Sequence, residues 1–144
     1  MKGFASKFAR NIMLLFLLSP SLVVSVTAQE ESTRISNRVA EFTGIDKITG
    51  RIITFDVYID ETVQFGALQV TPRVCYSRPV TEQPKTTAFL EVDEMTLDRK
   101  IRRIFTGWML ADSPGLNAIE HPIYDIWLNA CKMESDEVPP PKSS

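Results

Sequence analysis

Hydrophobic positions fall into one apolar run near the start of the chain and a series of short alternating segments after it. In "RIITFDVYID", Ile53, Phe55, Val57 and Ile59 alternate with Ile52, Thr54, Asp56 and Tyr58, the period of two that marks a strand with one buried face. In "GALQVTPRVCYS", strict alternation puts Leu68, Val70, Val74 and Tyr76 on one face and Gln69, Thr71, Arg73 and Cys75 on the other. Ala88, Leu90 and Val92 alternate with Phe89, Glu91 and Asp93. Near the end, Tyr124, Ile126 and Leu128 form a core-facing set opposite Asp125, Trp127, Asn129 and Cys131. No window after the first apolar run has a helical period, and the alternating segments are bounded by Gly, Pro and Asp. The pattern predicts an all-β fold, a small antiparallel β-sandwich or barrel.

The strongest local pairing is "TAFLEVDEMTLDRKIRRIFTGWML". A two-residue loop at Asp98-Arg99 sets Glu94 opposite Arg103, Val92 opposite Phe105, Leu90 opposite Gly107 and Phe89 opposite Trp108. That register gathers Ala88, Leu90, Val92, Phe105 and Met109 on one face. It also sets Arg99, Lys100, Arg102 and Arg103 beside Asp93, Glu94 and Asp98, where cross-strand pairing compensates the charge; a basic binding patch is the weaker reading. Two-residue loops favour Asp-Gly or Asn-Gly, and a left-handed Arg99 would cost on the order of 1 kcal/mol. A longer loop would shift the register.

The apolar run Ile12 to Val26 follows Lys2, Lys7 and Arg10, precedes Val26-Thr27-Ala28, and is broken by Pro20. It falls short of the roughly 20 apolar residues of a membrane span. Residues 1–28 therefore read as a cleaved secretory signal, leaving no stable span. Residues 29–41 read as a flexible lead-in, 42–132 as the β domain, and 133–144, "MESDEVPPPKSS", as a disordered Pro-rich tail. Removing the three leader cations from the 16 lysines and arginines leaves 13 against 18 acidic residues, a formal charge of −5. Such a chain has no electrostatic footprint for nucleic acid or anionic lipid. Cys75 and Cys131 lie 56 residues apart, and in an exported chain this pair reads as one disulfide. Their matching phases, each opposite its strand's core set, place that bridge on the outer surface.

"SPGLNAIEHPIYDIWLNAC" holds the residue types of a hydrolase: Ser113, His121 and Asp125. No Gly-x-Ser-x-Gly elbow surrounds the serine, so these are weak catalytic candidates. Cysteine nucleophiles are disfavoured because each cysteine has a partner in the other. A single histidine without a spacing motif predicts no metal site and no cofactor. The structural reading makes His121 the extended residue before Pro122, with Leu116, Ala118 and Ile119 as a flap over the domain. Phe65, Phe89, Trp108 and Trp127 fall opposite their neighbours' aliphatic sets; together they would form an aromatic binding face. A flap or second sheet would bury them instead, and a domain this small has few other ways to build a two-layer core.

"GIDKITGR", "FGALQVTPRVCYSRP", "FTGWM" and "EHPIYDIWLNAC", in this order, resemble the motifs of a small exported alphaproteobacterial family, domain of unknown function 2155. The resemblance covers about residues 42–131. It implies a periplasmic or secreted single domain with no assigned activity, cofactor or catalytic residue. The family tends to place glycine at hairpins where this chain has Asp60-Glu61 and Asp98-Arg99. The expected function is that of a non-enzymatic module of the cell envelope, in the periplasm, binding an envelope or extracellular protein, peptide or glycan. The alternatives are a small hydrolase using Ser113 and His121, and an effector secreted beyond the envelope.

Overall fold

Alternating β-branched and aromatic residues between turn-forming residues leave each strand with one apolar face, and two such faces bury each other. The computed structural model describes residues 33–142; the expected signal at 1–28, the first residues of the lead-in and the last two residues lie outside that range. Eight strands follow in order: β1 (Ile35–Asn37), β2 (Val39–Asp46), β3 (Ile52–Tyr58), β4 (Val63–Phe65), β5 (Leu68–Ser77), β6 (Thr87–Met95), β7 (Ile101–Leu110) and β8 (Tyr124–Lys132). One antiparallel sheet runs β1-β5-β6-β7, with β4 also on β5; the other runs β3-β2-β8. The all-β expectation holds.

Between the sheets lie Ala40 and Phe42 of β2, Phe55 and Val57 of β3, Leu68 and Val70 of β5, Ala88, Leu90 and Val92 of β6, Met109 of β7, and Ile126 and Leu128 of β8. The chain crosses from one sheet to the other at Arg38, between Tyr58 and Val63, and between Leu110 and Tyr124. The flap contributes one plug: Ile119 is buried in the core, whereas Leu116 and Ala118 face solvent.

Three β-bulges change what strict alternation predicts. In β5, Pro72 pairs with Leu90 and Val74 with Phe89, so Arg73 is an inserted residue. In β8, Glu41 faces Ala130 and Phe42 faces Leu128, so Asn129 is inserted. An inserted residue reverses the facing of everything beyond it. Cys75 and Cys131 both turn inward, and the disulfide, with Cα atoms 5.6 Å apart, joins the two sheets through the core. The expected outer-surface bridge is corrected: Cys75 is 0% exposed. Val74 and Tyr76, expected in the core, turn outward.

The third bulge is Ile104 in β7. Beyond it the expected register stands, with Val92 opposite Phe105, Leu90 opposite Gly107 and Phe89 opposite Trp108; before it Glu94 faces Arg102, not Arg103. The loop is longer than two residues: Thr96 N–H donates to the Lys100 carbonyl and Arg99 N–H to the Thr96 carbonyl, with Arg99 at φ 63°. Asp60, expected at a hairpin, lies instead in the crossover from β3 to β4, with φ 67°. Arg102 pairs with Glu94 at 2.7 Å and Arg103 with Asp93 at 2.5 Å, the local compensation expected of the charge run.

Both ends of the expected domain are longer. The stretch read as a flexible lead-in carries β1 and the start of β2, with Val39 and Ala40 fully buried. An isolated "ISN" carries no alternation to read, but β5 supplies its hydrogen bonds and the Asn37 amide donates to Ser77 Oγ at 2.9 Å. The tail read as disordered is anchored as well. Ser135 Oγ donates to Asp56 at 2.5 Å and accepts from the Glu137 and Val138 N–H groups, and its own N–H donates to the Tyr58 hydroxyl.

Candidate functional site

The residues expected to form one aromatic face do not share a face. Phe65 is in the core: the two-residue turn Gly66-Ala67 sets it opposite Leu68, and its ring lies over Gly44, stacked on Phe55 at 5.8 Å and edge-on to Tyr124 at 5.6 Å. A Cβ on Gly44 would stand 2.7 Å from that ring, so this packing requires glycine. Trp127 lies opposite Thr43 on the outer face of the three-stranded sheet. Phe89 and Trp108 point outward from the other sheet and touch edge to face at 5.4 Å.

Tyr76 joins them because of the Arg73 bulge. Its ring stacks on Trp108 at 6.1 Å, and the Arg34 guanidinium lies over the same ring 4.0 Å from its centre, a cation–π contact. The result is a row of Arg34, Tyr76, Trp108 and Phe89 across the larger sheet, with Trp108 41% exposed. The Asn117 amide donates to the Trp108 carbonyl at 2.8 Å, tying the flap to this strand. A cavity of about 240 Å³ opens here, lined by Arg34, Tyr76, Arg78, Lys85 and Trp108. Strict alternation hid Tyr76 by assigning it to the core, and the lead-in reading hid Arg34. Arg78 and Lys85 sit in the β5–β6 loop, where no periodicity marks them.

The hydrolase candidates are not brought together as a triad. His121 Nδ1 accepts the backbone N–H groups of Ile123 at 3.1 Å and Tyr124 at 3.2 Å, so the ring proton sits on Nε2 and is donated to Glu94 Oε1 at 3.0 Å. The side chain is 6% exposed. Asp125 pairs with Lys47, whose ammonium also donates to the His121 carbonyl. Ser113 belongs to a turn, its N–H donating to Leu110 and its carbonyl accepting from Leu116. Among the described residues no hydrogen bond joins Ser113, His121 and Asp125. Both ring nitrogens of His121 are committed, so the ring organises the entry to β8 and has no free lone pair for a base. The hydrogen bond from His121, reinforced by Arg102, holds the Glu94 carboxyl below its usual range.

A second polar cluster lies on the outer face of the smaller sheet. Asp56, buried with 1% of its side chain exposed, accepts from Lys132 at 2.9 Å and from Ser135; Lys132 also reaches Glu41 at 3.0 Å. The Asp56 carboxylate, then Glu41, pushes the Lys132 ammonium well above the usual lysine range against the effect of burial. Every partner here is satisfied, which marks the cluster as a clamp on the tail. Among the described residues no group of three or more His, Cys, Asp or Glu side chains is placed to hold a metal, and no helix is long and apolar enough to cross a membrane.

Residues 40–131 match the model of a family described as uncharacterised proteins conserved in bacteria, domain of unknown function 2155. The chain belongs to this family. It is also similar to the uncharacterised protein RP359 of Rickettsia prowazekii (strain Madrid E), 25% identical over 87 residues, which is 60% of this chain and 56% of the relative. The chain thus spans little more than half the length of that relative. No solved structure matches it. The family's limits fall at Ala40 in β2 and Cys131 in β8, so the matched stretch runs from the start of β2 to the second half of the disulfide.

Proposed function

We propose that this member of the family is an exported, non-enzymatic β domain that works in the bacterial envelope by binding a partner through the Tyr76, Phe89 and Trp108 face. One observation carries the reading: in a chain with a buried, stapled core, three aromatic rings and a stacked guanidinium are turned outward as an ordered row with Trp108 left open. Open aromatic side chains beside an arginine are the composition of binding hot spots. The commitment of both His121 nitrogens speaks against the hydrolase alternative. The leader-like start supports the periplasm as the site of action, and secretion beyond the envelope is the variant that fractionation of cells and medium separates.

The test is in vivo crosslinking of the tagged protein in wild-type, Trp108→Ala and Trp127→Ala forms, each shown to melt as the wild type does. The aromatic-face reading expects a specific partner retained by Trp127→Ala and lost by Trp108→Ala. A partner or phenotype indifferent to Trp108 but dependent on His121 in a folded protein returns the hydrolase reading.

A further inference from the structure

The cavity beside Trp108 has a charge opposite to that of the chain. Arg34, Arg78 and Lys85 line it, and no acidic residue does, although the whole sequence carries a formal charge of −2. Cations concentrated on one concave site of an acidic protein focus an attractive field for anions. Arg78 is paired with Glu82 only as a loose ion pair, Nη1 standing 3.8 Å from Oε2, and that nitrogen is buried without a hydrogen bond. Leaving a buried donor without a hydrogen bond is costly, and a carboxylate satisfies a guanidinium with matching geometry.

The remaining walls select for more than charge. Trp108 offers its exposed ring, and Ser77 and Thr87 add hydroxyl groups able to donate or accept. At about 240 Å³ the cavity is smaller than the roughly 300 Å³ at which ordinary small-molecule pockets begin, so it fits one ring unit and not a large rigid ligand. A neighbouring cavity of about 390 Å³ shares Arg78 and Lys85 and adds Glu82 and Asp112, so the purely cationic lining is confined to the Trp108 cavity. Exposed ring, hydroxyl partners and cations together describe a sugar ring that carries a carboxylate.

We infer that the Trp108 cavity binds an acidic glycan, one sugar ring lying against Trp108 with its carboxylate on Arg78 and Lys85. This rests on the aromatic-face reading and adds the ligand class to it. Arg34 is the lesser contributor, since its guanidinium is already stacked on Tyr76.

Calorimetric titration of the purified protein with a tetramer of galacturonic acid, a cello-tetraose of the same length and a tetraglutamate tests it. The expected result is binding of the galacturonate at least tenfold tighter than either other probe and weakened by added salt. Arg78→Gln, at a partly buried position, and Lys85→Gln, at an exposed one, both checked for unchanged melting, should each weaken galacturonate binding by roughly ten- to a hundredfold, the worth of a charged hydrogen bond, and leave any weak cello-tetraose binding as it was. Trp108→Ala should weaken both sugars. Equal, Trp108-dependent binding of the two sugars overturns the acidic-glycan inference and leaves the aromatic face standing. Tetraglutamate bound as tightly as galacturonate also overturns it, since the site then reads charge without a ring. Galacturonate binding indifferent to Trp108→Ala overturns the inference together with the aromatic-face reading, and no binding of galacturonate overturns the inference alone.

Discussion

The Cys75–Cys131 bridge is the perturbation with the most calculable effect. It links β5 of the larger sheet to β8 of the smaller one across 56 residues of sequence. In the chain-entropy account, a loop of that length raises the free energy of the unfolded chain by about 4 kcal/mol. At 4 °C or more of melting temperature per kcal/mol for a domain near 100 residues, loss of the bridge should lower Tm by roughly 15 °C. Two forms separate the contributions. Protein unfolded with reductant and refolded with free thiols loses the loop constraint and keeps the sulfur atoms in the core; the Cys75→Ala/Cys131→Ala protein also loses their packing, and should melt lower still. Because Cys75 is fully buried and Cys131 partly so, reductant added to the folded protein should act more slowly than on the unfolded chain. Melting followed by far-ultraviolet circular dichroism, with alkylation to count thiols, measures all three. A fully reduced protein melting within about 5 °C of the oxidised one would refute the argument and show that the two sheets hold each other without the staple.

Gly66→Ala should destabilise by about 2–4 kcal/mol in a urea titration, combining the cost of a left-handed alanine with overpacking, since Gly66 has φ +57° and its Cβ would meet the Tyr124 ring at 2.3 Å. Lys132→Met removes the ammonium from buried Asp56 and should cost about 2–3 kcal/mol, below the range for a fully buried pair because Lys132 is a third exposed. Because the folded-state value of Lys132 is raised, its contribution is whole below the ordinary lysine value of 10.5 and is lost as pH climbs toward the raised one; the Lys132→Met protein should lack that alkaline loss. Glu94 is the reverse case: lowered in the folded state by His121 and Arg102, it contributes fully above its ordinary 4.5 and loses that contribution as pH falls through the depressed value. Glu94→Gln should therefore lose less stability than the wild type between about pH 5 and 2, and parallel acid-titration curves would contradict the His121–Glu94 bond.

Where the chain alternates strictly, the fold was legible. Phe55 and Val57, Leu68 and Val70, Ala88, Leu90 and Val92, and Ile126 and Leu128 all lie in the core as their period requires. The β6–β7 register beyond Val92 followed from loop length and hydrophobic matching. What alternation does not carry is a single inserted residue: Arg73, Asn129 and Ile104 are ordinary strand residues, and nothing in their type marks a bulge. The ends were hidden for a different reason. β1 and Ser135 are held by partners distant in sequence, Ser77 and Asp56, so no local window contains the cause of their order. Phe65 was recoverable from Gly66-Ala67, which makes it the partner of core residue Leu68. Of the residues expected on one aromatic face, Phe89 and Trp108 share the outer side of the larger sheet, while Tyr76, Arg34 and the loop cations became visible only once the bulge and β1 were in position.

The Arg73 bulge links the staple to the aromatic face. With strict alternation past Pro72, Cys75 would face solvent on the Trp108 side and Tyr76 would lie in the core. One inserted residue exchanges them: the sulfur enters the sheet interface where Cys131, turned by its own bulge, meets it, and the phenol emerges to stack on Trp108. Arg73 itself holds that arrangement from outside, its guanidinium donating to Glu91 of β6 and to Asp60 of the left-handed turn after β3. The inward and outward consequences share a backbone cause and cannot vary independently. A change that restored the ladder at Arg73 would remove the covalent link between the sheets and the outermost ring of the face together, whereas a change at Trp108 alone touches only the face.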